Sequence, residues 1–99
     1  MTALNLTLQK TYFKMGFFNV GVSHDRYVRR TEGPVRIRLG REGEVVEGRV
    51  DRHANRNGTA RVMGGVPVKR WFQANFKPMD TVAVDFASEE EIVLDAVQA

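Results

Sequence analysis

Ninety-nine residues, 42% of them hydrophobic, are enough for one domain spanning residues 1–99 and too few for two. The chain has no cysteine, which removes disulfides and thiolate metal ligands from consideration. Fifteen bases against twelve acids leave a net charge of +3, and no apolar run approaches bilayer length or resembles a secretory leader, so a cytoplasmic protein without a membrane partner is expected.

The first predicted element is a strand over residues 2–8, where Leu4, Leu6 and Leu8 alternate with Asn5 and Thr7. A second extended segment follows, with Phe18, Val20 and Val22 alternating with Asn19, Gly21 and Ser23. Tyr12, Phe13 and Phe17 precede it and supply core bulk, roughly 1.5–3 kcal/mol for each buried ring. From Ser23 to Pro34 periodicity is lost, which predicts a loop or short helical turn carrying His24, Asp25, Arg26, Tyr27, Arg29 and Arg30. Val35, Ile37 and Leu39 alternate with Arg36 and Arg38, a strand with one buried and one basic face. Gly40 to Gly43 reverse the chain, and residues 44–51 return, with adjacent Val45 and Val46 leaving room for a bulge.

Asn55 to Gly58 form a turn, and Thr59 to Met63 a further strand. Val66-Pro67 open the one helix expected, since proline suits a first turn, and Pro78 stops it. Val68, Trp71, Phe72, Asn75 and Phe76 recur at helical spacing and are expected to face the core. Trp71 reads as a packing anchor, its truncation costing roughly 3–5 kcal/mol. Val82, Val84 and Phe86 alternate in the next strand, residues 87–90 turn, and Ile92 with Leu94 completes a hairpin whose acids, Glu89 to Glu91, guard an edge. The whole predicts a mainly β fold, a small open or pseudo-barrel of six to seven short strands with one short helix, or a sandwich.

Charge is distributed unevenly along this order. Residues 1–48 balance to +3, residues 49–70 to +5 and residues 71–99 to −5, which is expected to give the molecule a positive and a negative side. Eleven of the fifteen bases are arginine, whose planar fork matches phosphates and base edges bidentately. The densest basic stretch runs from Arg49 to Arg70, and its centre, residues 52–58, mixes guanidinium with amide side chains. The nucleic-acid-binding residues expected are Arg26, Arg29, Arg30, Arg52, Arg56 and Arg61 on phosphates, with Arg49 in the same stretch. His53, Asn55 and Asn57 are suited to base edges, and Tyr27 is the aromatic expected beside a ligand. The plain structural alternative is a solvated hairpin and a turn in which Asp25 pairs with an arginine.

Catalysis finds less support. Only His24 and His53 are available for metal or nuclease chemistry, the acids concentrate far from them in sequence, and no catalytic spacing or phosphate loop occurs. No enzyme, metal or cofactor is expected.

The order of strand, basic loop, strand, short helix bearing Trp71-Phe72, then Asn75-Phe76-Lys77-Pro78-Met79-Asp80 leading into Val82-Ala83-Val84, resembles the DNA-binding pseudobarrel domain of plant auxin-response transcription factors and of recognition domains in some bacterial type II restriction endonucleases. The likeness runs from about Phe17 onward. It implies a double-stranded DNA partner gripped by two arms, His24 to Arg30 and Arg52 to Asn57, and a role in transcription regulation or restriction-modification. A nuclease or other effector domain, or a second copy of the chain, would then act beside it. The swapped-hairpin DNA binders of the transition-state-regulator family are a second resemblance, and they imply an obligate dimer. Rival readings are an RNA or single-strand binder using Tyr27, and a basic module docking an acidic protein. On the DNA reading, Arg52→Ala with Arg56→Ala is expected to weaken binding while leaving stability nearly unchanged.

Overall fold

Period-two alternation builds most of the molecule. The computed structural model describes residues 2–97 and contains seven strands: β1 (Thr2–Thr7), β2 (Phe17–Asn19), β3 (Gly33–Leu39), β4 (Val45–Asp51), β5 (Arg61–Met63), β6 (Thr81–Ser88) and β7 (Glu91–Ala96). They form one curled half-barrel sheet in the order β1-β6-β7-β3-β4-β5-β2. Every neighbouring pair is antiparallel except β3 and β7, which run parallel with Ile37 opposite Ile92. The concave face holds the core: Leu6, Val35, Ile37, Leu39, Val50, Val62, Val82, Val84, Phe86, Ile92 and Leu94 are buried. The expected mainly β, open or pseudo-barrel architecture of six to seven strands is thus observed, as a half-barrel of seven.

Among the described residues two α-helices pack on each other and on β2. α1 (Lys10–Met15) is absent from the sequence reading, because its six residues include β-favouring Thr and aromatics and Gln9 provides no side-chain cap. The signal for it is local. Leu8 and Tyr12, four apart, are both buried, and Gly16 closes the helix at φ 76°, its amide donating to the Tyr12 carbonyl at 2.8 Å. A Cβ on Gly16 would lie 2.4 Å from the Gly65 carbonyl oxygen, so this glycine also sets how closely α1 approaches the second helix. That helix, α2 (Gly65–Asn75), buries Val68 and Phe72. Trp71 and Phe76 are only partly buried and pack edge to face at 5.2 Å, while Asn75, expected on the inner face, is exposed and donates to the Trp71 carbonyl.

Three further expectations shift. The extended segment after α1 stops at Asn19, and Val22, expected in it, lies 75% exposed in the following turn. The bulge falls between Phe86 and Ser88, not at Val45-Val46, whose register with β3 is continuous because the two valines simply face opposite sides of the sheet. β5 begins at Arg61 and not at Thr59, since the Ala60 amide donates to Asp25 instead of extending the ladder. Among the described residues no helix is long and apolar enough to cross a membrane.

Candidate nucleic-acid interface

Two polar segments meet at one end of the sheet: residues 20–32, between β2 and β3, and residues 52–60, between β4 and β5. A 3-10 turn (Asp25–Tyr27) in the first presents the Asp25 carboxylate to the second. Asp25 Oδ1 accepts from Arg52 Nη1 at 2.8 Å and from the Ala60 amide at 2.7 Å, and Oδ2 accepts from the same Nη1 at 3.0 Å. Arg52, 16% exposed, also donates to the Gly58, Arg29 and Val28 carbonyls, so all three of its nitrogens have protein acceptors.

Glu32, just before β3, makes the second cross-link. It accepts from the Arg52 amide at 2.8 Å and contacts His53 Nδ1 at 2.7 Å. The Arg52 amide and the His53 ring hold the Glu32 carboxyl at about 2, well below its ordinary 4.5, and the same contact raises His53 above its ordinary 6.5. Asp51 Oδ1 accepts from the His53 and Ala54 amides, turning the chain out of β4. Glu32, Asp51 and His53 bring three ligand atoms within 4.8 Å of one another, but the hydrogen bonds just described already engage each residue.

The candidate residues therefore separate by what their side chains touch. Arg29 spends its three nitrogens on Thr31 and the Pro34 carbonyl and pairs with Glu90 at 3.7 Å. Its guanidinium fits because residue 33 is glycine: a Cβ there, at φ 152°, would sit 2.8 Å from the Arg29 Cζ. Arg61 donates Nε to Asn19 Oδ1 and lies 4.3 Å over the Phe17 ring, and Asn55 donates to Asn19 and to the Thr59 carbonyl. Asn57, exposed, uses its oxygen to accept from the Thr59 amide and hydroxyl. Arg49 stands apart, exposed on the outer face of β4 opposite Met63. Tyr27 packs on Phe86 at 6.1 Å and accepts from Arg26.

Arg26, Arg30 and Arg56 are exposed and have no carboxylate partner among the described residues. Arg26 and Arg30 line a shallow hollow of about 410 Å³ with Val22, Asp25 and Arg52. Arg56 borders a second hollow, also about 410 Å³, with Asn19, Asn55 and Asn57. The structural alternative in which Asp25 pairs with an arginine is met, the partner being Arg52, whereas Glu32 and Asn19 carry no sequence signal as organisers of this end.

Three ion pairs run across the expected positive and negative sides. Arg29 meets Glu90, Arg36 meets Glu91 and Arg41 meets Asp95, because the parallel β3–β7 pairing lays the acidic last segment against the arginines in and around β3. Comparison with protein-family models, with curated proteins and with solved structures finds no match.

Proposed function

We propose that this loop end binds double-stranded DNA without catalysis, with Arg26, Arg30 and Arg56 on phosphates and Asn57 and His53 reaching base edges. The observation that supports the reading is the bracing of two loops by Asp25, Arg52 and Glu32, with Arg26, Arg30 and Arg56 exposed on those loops and without a carboxylate partner among the described residues. Preformed donors lose little freedom on binding, so more of each contact appears as affinity. Duplex is favoured over single strands because Tyr27, the aromatic suited to stacking, is already packed on Phe86 and against Arg26. Under the resemblance to pseudobarrel domains, the module would read DNA for transcription regulation or restriction-modification beside an effector domain.

The test is a titration of labelled random duplex at two salt concentrations. Three phosphate contacts give a log–log slope of about −2.7, an affinity loss of about 40-fold between about 50 and about 200 mM salt. Single strands should compete poorly. Binding that ignores salt or prefers single strands would overturn the reading, and affinity for acidic proteins alone would favour a protein-docking module.

A further inference from the structure

The half-barrel leaves one long strand edge open. β1 hydrogen-bonds to β6 along Thr2–Thr7, and none of the described residues pairs with its other edge. A row of backbone donors and acceptors in that position is a template for another strand, and proteins normally blunt it with charge, proline or a bulge. β1 has none of these: its sequence is TALNLT and its register with β6 runs without interruption. By contrast, β3 and β7, which are paired on both sides, carry Arg36, Arg38, Glu91 and Asp95.

The core is also incomplete at this edge. Val84 and Val82, opposite Leu4 and Leu6, are fully buried, whereas Leu4 is only partly covered. On the outer face Ala3 and Asn5 are small, neutral and exposed, so a mating strand meets neither bulk nor charge. The other sheet edge, β2, is three residues long and offers little to pair with.

We infer that β1 pairs antiparallel with β1 of a second copy of this chain. A strand meeting its own equivalent about a two-fold axis closes after two copies, whereas β1 against β2 of a neighbour would propagate as an open chain. Closure needs only the one edge that is unprotected here. The pairing extends the sheet to fourteen strands and covers Leu4 on both sides of the axis. It does not depend on the DNA-binding reading.

Sedimentation velocity of the full chain from about 10 μM to about 1 mM tests it. The unaltered protein should pass from monomer to dimer with rising concentration, and Ala3→Lys with Asn5→Lys should remain monomeric with an unchanged circular dichroism spectrum. As a second readout, the cysteine-free chain permits single substitutions Ala3→Cys, Leu4→Cys and Asn5→Cys. Mild oxidation should give disulfide-linked dimers in a position-dependent pattern centred on the two-fold axis. A monomer throughout the concentration range, or a dimer that tolerates both lysines and crosslinks at no β1 position, overturns the inference.

Discussion

Arg52 illustrates how a residue type points to a ligand while its surroundings assign it to the fold. With 16% exposure and partners on both loops, it is a structural tie, so the expectation that Arg52→Ala leaves stability unchanged is replaced by a loss of about 3 kcal/mol in denaturant unfolding. Asp25→Ala should lose a similar amount, and the double variant less than the sum of the two. Arg30→Ala with Arg56→Ala should instead keep the unfolding midpoint within about 0.5 kcal/mol while weakening duplex binding. The Glu32–His53 contact adds a pH signature. Glu32 is depressed from 4.5 to about 2, so its contribution is present above 4.5 and fades as pH falls toward 2. His53 is raised above 6.5, so its contribution is full below 6.5 and fades as pH rises through the elevated value. The stability difference between the unaltered chain and His53→Gln should therefore be greatest between pH 4.5 and 6.5 and narrow on either side, as pH-dependent thermal melts would reveal. A difference that is flat across this range would mean the contact does not persist in solution.

The elements show what periodicity can and cannot convey. β3, β6 and β7 were legible because Val35-Ile37-Leu39, Val82-Val84-Phe86 and Ile92-Leu94 alternate within strands buried on one face. α1 was not, since six residues give less than two turns in which to express a stripe. The basic loops were legible as basic, but whether a guanidinium points outward depends on partners such as Asp25 and Asn19, which lie twenty or more residues away in sequence. Within α2 the apolar spacing marked Trp71 and Phe72 alike, yet only Phe72 is fully buried. Phe72→Ala should accordingly cost about 3–5 kcal/mol, and Trp71→Ala clearly less, in paired chemical unfolding curves. Gly16→Ala should destabilise beyond the ordinary effect of a glycine replacement, because both the left-handed backbone and the approach of Gly65 oppose a methyl group.

At the scale of the whole molecule, the Arg29–Glu90 ion pair brings acids of the last third up to the rim of the basic end. Glu89 and Glu90 share a shallow hollow with Arg29 and Arg30. Neutralising them as Glu89→Gln with Glu90→Gln should raise duplex affinity several-fold at low salt and have little effect at high salt, read by the same titration. No change at either salt would show that DNA does not approach this rim. The β3–β7 junction has a consequence for the order of assembly. It joins a block of β1, β6 and β7 to a block of β3, β4, β5 and β2, and its partners, residues 36–39 and 91–94, lie more than fifty residues apart. β7, the latest of these seven strands in chain order, is thus an interior one. During translation, β3 to β5 can zip into a meander early, but the barrel cannot close until residue 96 has left the ribosome, so closure of this long loop should limit the folding rate.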